Sequence, residues 1–351
     1  MCKFNIGIVG AGNIAHCHMQ AYRLLENVQV CAVCDIQMQR AQEFAGLYKI
    51  PRAYESHLEM MENERLDAVS VCTWNSAHGP VSIDLLNRGI HVLCEKPLAM
   101  NEVEALAMQS AAQAHNCVLM PGFCTRYEDG ITLLREHVQS GRLGDVYFIK
   151  STYLRRHGYP GGWFGDSVRS GGGPVIDLGV HVLDLARFVA GGNAISVSAS
   201  VHKMPEPLSF ESASPHMSIE ESRIHDVEDF AAALIHMDNG VTVLMETSWN
   251  HHIPEDVFQF EVYGTKGGAR AYPNVAIFED EEGKPVDRRL NHSNHPESPN
   301  YDFDREIAHF ISVCGGKTTA LCTAGDGIEV MRIVDALYRS AKTGREIVIA
   351  R

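Results

Sequence analysis

An apolar run that ends in glycine-x-glycine and opens straight into a helix leaves a chain few folds to choose from. Residues 5–15 read NIGIVGAGNIA, a short buried strand followed by Gly10-x-Gly12-x-x-Ala15. Gly10 permits the tight turn, Gly12 lets the backbone approach a pyrophosphate, and Ala15 allows close helix–strand contact. The first helical residues, Asn13 and Ile14, then offer free N–H groups and a partial positive charge to phosphate. A second apolar run, VQVCAVCD at 28–35, ends in Asp35. A carboxylate at that distance accepts from an adenosine ribose diol and repels a 2′-phosphate. Ile36 and Gln37 supply no cation beside it, so NAD is favoured over NADP.

The rhythm around this motif is strand and helix in alternation. DAVSVCT (67–73), IHVLCEK (90–96) and CVLMPGF (117–123) read as further buried strands, and helix-length stretches lie around 14–26, 37–47, 77–88 and 101–115. Such alternation implies right-handed crossovers and a parallel sheet covered on both faces. After residue 123 the pattern changes. A helix near 128–140 precedes a strand at 145–156, and strand-like runs follow at 195–201, 229–237, 241–249 and 257–264. Turns of the MDNG and YGTKGG kind between them fit an antiparallel sheet. Two polar stretches, 203–226 and 280–302, read as loops or lids, and a helix over 325–342 closes the chain. The expected domains are therefore a dinucleotide-binding domain over 1–123 and a second domain over 124–351.

Charge narrows the partners. Lys plus Arg number 30 against 44 Asp plus Glu, a net charge of −14, which speaks against nucleic acid or an anionic membrane because polyanion binding needs a basic face. The ten cysteines are scattered, and the pair Cys31 and Cys34 lies in a strand pattern, so a core role is expected rather than redox or zinc chemistry. The sequence shows no secretory pattern and no apolar run near the roughly 20 residues of a membrane helix, so the cytoplasm is the expected compartment.

The segment SGGGPVIDLGVHVLDLARFVAG, residues 170–191, is an apolar helix led by glycines, yet it carries Asp177, His181 and Asp184. Spacings of four and three place the three on one α-helical face. Asp177 and His181 are either a catalytic pair or a satisfied polar pair anchoring the helix. Asp184 is read as structural, with Arg187 three residues on as its partner. In CTWNSAH (72–78), Thr73, Asn75 and His78 sit where a strand's carboxyl end faces ligand. Asn75 and His78 either contact the nicotinamide side or serve as a helix cap and an exposed first-turn residue.

CEKPLAM (94–100) follows the next strand. With the glycine fingerprint and the Asp177/His181 helix, it makes the chain resemble the Gfo/Idh/MocA oxidoreductases (glucose–fructose oxidoreductase, inositol dehydrogenase and relatives) over nearly its whole length. The resemblance implies an α/β Rossmann domain followed by an α+β domain with a large, mostly antiparallel open sheet, used for homodimer or homotetramer contacts. It also implies NAD-dependent hydride transfer at a carbinol carbon of a sugar, glycoside or cyclitol. By motif, Lys96, Asp177 and His181 become the polar catalytic set, with Glu95 and Lys96 also beside the cofactor. YLRRHGYPGGWF (153–164) and METSWN (245–250) look like the branch containing D-glucoside 3-dehydrogenases.

Oxidising a secondary alcohol requires removing its proton as hydride leaves, a task for a group titrating near neutrality, hence His181. Asp177 would orient the imidazole or bind a hydroxyl, and Lys96 would favour the anionic character of the reacting oxygen. The competing view of Lys96 is an exposed strand-end lysine. Arg126, Arg156, His157 and Trp163 are the expected substrate contacts, with Arg155, Tyr159, Asn250, His251 and His252 behind them. His292 and His295 have a metal-compatible spacing with nothing assembled around them, so no metal is expected. Two other functions compete: redox-neutral NAD-dependent glycoside cleavage, and a non-catalytic NAD-binding sensor, which would need none of Lys96, Asp177 and His181.

Overall fold

The structure is a computed structural model that describes residues 4–204, 224–289, 298 and 300–350. It divides into two compact units, Met1–Cys124 with Glu297–Met331, and Thr125–Pro296 with Arg332–Arg351.

The first unit begins with β1 (Phe4–Val9), α1 (Asn13–Arg23), β2 (Val28–Cys34), α2 (Met38–Tyr48), β3 (Arg52–Tyr54) and α3 (His57–Asn63). It continues with β4 (Ala68–Val71), α4 (Asn75–Asn87), β5 (His91–Glu95), α5 (Glu102–Ala114) and β6 (Leu119–Gly122). Among the described residues the strands form a six-stranded sheet in the order β3-β2-β1-β4-β5-β6, every pair parallel. Ile6, Ile8, Val33, Val69, Val92 and Leu93 are fully buried, as apolar runs covered on both faces must be. The order reverses between β1 and β4, and ligands bind at the carboxyl ends of strands at such a switch point. Cys31 and Cys34 are free thiols in β2, and burial pushes them up to about 11 and about 12, so they are inert core groups.

The second unit carries α6 (Asp129–Gln139), β7 (Val146–Leu154), α7 (Ser167–Ser170), a π turn over Val175–Gly179 and α8 (Val180–Ala190). Then come β8 (Ala194–His202), β9 (Phe230–Met237), β10 (Thr242–Ser248), β11 (Val257–Gly264), β12 (Gly267–Tyr272), β13 (Ala276–Glu281) and β14 (Lys284–Arg289). The chain ends with α9 (Tyr301–Cys314), α10 (Ala324–Thr343) and β15 (Ile347–Val348). The nine strands described here run β14-β13-β12-β11-β7-β10-β9-β8-β15, antiparallel except for the β7–β10 pair. The glycine-led helix lies on the centre of this sheet: Ser151 Oγ of β7 donates to Val182 O at 3.1 Å, and Thr247 Oγ1 of β10 donates to Pro174 O at 3.1 Å.

Two features differ from the sequence expectation. The stretch 280–302 is not one loop: its start completes β13 and forms β14, and its end opens α9, while 290–297 and 299 lie outside the described residues, His292 and His295 with them. Of 203–226, residues 205–223 also lie outside. The tail, moreover, does not belong wholly to the second unit. Helix α9 packs on α1, where the His18 and Phe303 rings lie 5.9 Å apart, and it buries Ile307, Phe310 and Ile311 at helical spacing. The expected single domain over 124–351 is thus interrupted.

Candidate cofactor and active-site residues

Three strand ends meet around the glycine turn. Gly10 N donates to Cys34 O at 2.8 Å and Cys72 N donates to Val9 O at 2.7 Å, tying β1 to β2 and to β4. A side chain at Gly10 would stand 2.4 Å from Cys72 O, and its φ of +92° already favours glycine. Gly10→Ala is therefore expected to cost about 1–3 kcal/mol of stability, and an unchanged thermal midpoint would contradict that account. Gly12 is the N-cap of α1 and has no side chain to close over the first amides; a Cβ built there meets nothing within 4 Å. Asn13 is exposed and Ile14 half-buried beside it. Asp35 Oδ2 accepts from Ala11 N at 2.9 Å and Oδ1 from Gln37 N at 2.9 Å, so the carboxylate is seated against the same turn. An open glycine approach, helix amides and a fixed carboxylate together fit a dinucleotide.

His78 is not an exposed first-turn residue. It is buried on α4, with Nδ1 2.7 Å from Pro97 O and Nε2 3.2 Å from Thr73 O, and burial holds its pKa below the usual range. Neutral, it donates from Nδ1 and locks the loop after β5 to the loop after β4. Asn75 is the first residue of α4 rather than its cap, which is Trp74, and Thr73 Oγ1 donates to Trp74 O at 3.1 Å. Lys96 is half-buried and precedes a cis bond to Pro97. Its amide donates to Glu95 Oε2 at 3.1 Å, and Glu95 Oε1 lies 2.8 Å from His18 Nε2. His18, 77 residues from Glu95, carries no sequence signal for this contact.

The glycine run before α8 has a steric purpose. A Cβ at Gly172 would stand 2.0 Å from Tyr338 Oη, and one at Gly173 would stand 2.0 Å from Glu228 O. The Glu228 carboxylate accepts from Gly173 N at 3.0 Å, Val175 N at 3.1 Å and Tyr338 Oη at 3.0 Å, so it caps the helix start from inside the unit. Asp177 sits in the π turn, a form often found at functional positions. The α-helical spacing that places Asp177, His181 and Asp184 on one face therefore does not hold along the whole segment. Asp177 and His181 are half-buried, whereas Asp184 is fully buried. The Trp249 indole N–H donates to Asp177 Oδ2 at 2.9 Å, and Trp249 packs with Leu178, Val227, Tyr153, Tyr159 and Phe164.

Arg155, rather than its neighbour, faces this cluster. Its guanidinium lies 5.3 Å from the centre of the Tyr153 ring and donates to Tyr153 Oη at 3.3 Å. Burial works against its charge, but Tyr153 and Asp177 outweigh this and hold its pKa above the usual value. Arg156 is exposed and donates to Pro254 O at 2.7 Å, and His157 is exposed. Trp163 stacks on Phe164, ring centres 4.1 Å apart, just after Gly161 and Gly162, whose φ values of +79° and +59° demand glycine. His251 stacks on Phe230, His252 is exposed, and Asn250 is buried. Arg126 departs from its expected substrate role. It is buried, and its Nε and Nη2 grip both oxygens of Asp184 at 2.7 and 2.5 Å. The partner that fixes Asp184 in the core thus comes from 58 residues away, while Arg187 donates to Asn193 Oδ1 at 2.8 Å.

Residues 4–123 match a family model described as "Oxidoreductase family, NAD-binding Rossmann fold", and residues 131–270 match "GFO/IDH/MocA C-terminal domain". D-glucoside 3-dehydrogenase of Escherichia coli (strain K12) is 31% identical over 348 residues, covering 97% of this chain and 96% of that one. Myo-inositol 2-dehydrogenase of Thermotoga maritima is 26% identical over 288 residues, 81% of each chain. Among solved structures, levoglucosan dehydrogenase in complex with NADH superposes with a TM-score of 0.86 at 22% identity, covering 99% of this chain and 100% of that one, a likeness of fold.

Proposed function

The chain belongs to the Gfo/Idh/MocA oxidoreductase family, and from that premise we propose that it is an NAD-dependent dehydrogenase oxidising a secondary carbinol of a glucoside at C3. The observation that carries the substrate class is the full-length likeness to a D-glucoside 3-dehydrogenase. NAD+ supplies, when bound, the acceptor for the hydride leaving the carbinol carbon. What falls to the protein is the proton and the charge on oxygen. A ring nitrogen of His181 takes the hydroxyl proton, as a base near neutrality does best. Asp177, steadied by the Trp249 indole, orients the imidazole or holds a neighbouring hydroxyl. The Lys96 ammonium stabilises negative charge on the reacting oxygen. Arg155 and the Trp163–Phe164 stack supply donors and an apolar face suited to a pyranose.

Asp35 supports NAD rather than NADP through its fixed carboxylate. Asp35→Ser is expected to weaken NAD+ by about 10- to 150-fold, in keeping with roughly 1.5–3 kcal/mol for hydrogen bonds to a charged group, and to improve NADP+ relative to NAD+. Fluorescence titration with both cofactors checks this, and an unchanged ratio would remove Asp35 from the site. No described helix is long and apolar enough to cross a membrane. We place the enzyme in the cytoplasm, as a homodimer or homotetramer joined through its larger sheet.

The test of function is a panel of alkyl glucosides, free sugars and inositols with NAD+ and NADP+, read by reduced-nicotinamide absorbance. Net NADH with glucosides is the expected result. Glycoside cleavage without net NADH, or no turnover across the panel, would overturn it.

A further inference from the structure

A continuous line of buried polar groups runs beneath Lys96. Tyr22 Oη lies 2.8 Å from Ser70 Oγ, Ser70 Oγ lies 2.9 Å from His18 Nδ1, and His18 Nε2 lies 2.8 Å from Glu95 Oε1. The line ends where Lys96 N donates to Glu95 Oε2 at 3.1 Å. One assignment satisfies every donor in it. Tyr22 gives its proton to Ser70, Ser70 gives to Nδ1 of a neutral His18, His18 Nε2–H gives to Oε1, and the Lys96 amide gives to Oε2. Ser70 and His18 are fully buried, and Tyr22 and Glu95 nearly so. Space for the carboxylate comes from Gly122 on β6, the register partner of Glu95, where a Cβ would stand 3.2 Å from Oε1 and 3.3 Å from Glu95 Cα.

We propose that Glu95 and His18 are positioning residues for Lys96, the buried carboxylate fixing the lysine's backbone turn and keeping its side chain charged. This inference rests on Lys96 being a catalytic group. Two independent anchors bracket that residue: Glu95 on its amide and His78 on Pro97 O. A lone carboxylate in this place would be neutralised by burial. Burial does push Glu95 up, but the His18 hydrogen bond, the positive charge His18 carries when protonated, and then the Lys96 cation and amide outweigh it and hold the carboxyl below its ordinary range. The pairing is reciprocal, since an anion stabilised by Lys96 stabilises the ammonium equally.

The other titratable groups nearby are accounted for. Cys17 on α1, Cys72 after β4, Cys94 on β5 and Cys124 after β6 each feel Glu95, and burial pushes all four thiols up, so they stay neutral. Asp302 and Glu306 on α9 also act on Cys124, adding negative charge on that side. His78 senses both Glu95 and Lys96 and is kept neutral by burial. Glu95 and Lys96 are the opposite charges joined through one residue's amide.

Reductive methylation of the full-length protein with 13C-formaldehyde gives each lysine an NMR-visible dimethylamine, and Lys96→Arg identifies the Lys96 signal by its loss. In Glu95→Gln its titration midpoint is expected to fall by about one unit or more, with the other lysines unchanged. His18→Leu is expected to displace the same resonance, and His18→Gln, which returns a donor to Oε1, to bring it back. An unmoved midpoint in folded Glu95→Gln overturns the proposal. Should that variant not fold, an unmoved resonance in both His18 variants does so. Full hydride transfer by Lys96→Ala would instead sink the catalytic assignment of Lys96 and leave the charge coupling measurable.

Discussion

Replacing Lys96 by alanine is expected to slow hydride transfer by about 10²–10³-fold, the usual cost of removing one donor to a developing oxyanion, with NAD+ affinity changed by less than about threefold. The loop should survive the change because its anchors are main-chain ones. The Lys96 amide still reaches Glu95 Oε2, and Pro97 O still meets His78. The missing part is then the ammonium alone, absent where charge gathers on oxygen. Single-turnover measurements with a substrate deuterated at the carbinol carbon separate the chemical step from cofactor release. A full-sized isotope effect at a much reduced rate is expected, and wild-type rates would refute the assigned role.

The largest expected effect on stability lies elsewhere. Asp184→Ala should destabilise the protein by about 3–5 kcal/mol, because it strands the buried Arg126 guanidinium without its anion. Both side chains of this pair are buried, at 2% and 0% exposure, so water cannot stand in for the lost partner. The guanidinium also lies 4.7 Å from the Phe188 ring centre, and Arg135 approaches the same ring at 4.1 Å, so the cations there depend on fixed packing. Replacing both partners with apolar residues of similar volume should cost far less than either single change. Urea denaturation of the two single variants and the double variant checks this. Additive losses would show that the pair is not the source of the effect.

The contrast between these two residues shows what a sequence can and cannot display. Lys96, Asp177 and His181 stand in local motifs whose residue types announce chemistry. Arg126 looks equally functional in one dimension, since nothing near it in sequence signals that Asp184 will claim it. The same holds for His18 and Glu95 and for Trp249 and Asp177, pairs separated by 77 and 72 residues. Each contact is created by strand order, and strand order is a long-range property. Arg155 and Arg156 carry one charge pattern, and only the course of the loop after β7 decides which guanidinium feels the Asp177 charge and which turns to Pro254 O.

Fold elements followed a similar division. Buried parallel strands are legible because both faces are apolar, and their helices because their apolar stripes repeat. The short β3 and α3, three and seven residues long, offer too little pattern to register. The β13–β14 hairpin is charged over most of its length, so its polarity reads as a loop, although Glu282 and Gly283 with φ of +53° and +74° make a hairpin turn of the favoured hand. The apolar stripe of α9 was present in the letters but was masked by the polar stretch leading into it. The π turn under Asp177 has no sequence hallmark.

The return of α9 to the first unit bears on any attempt to take this protein apart. A gene fragment stopped near residue 123, where the family's cofactor module ends, would strip the cover from one side of α1 and lay bare Cys17 and the edge of His18. Such a truncation should be sticky and poorly soluble. A soluble minimal module would need residues 297–331 spliced back on, and exchanging cofactor halves between relatives would require three crossovers, the third inside α10.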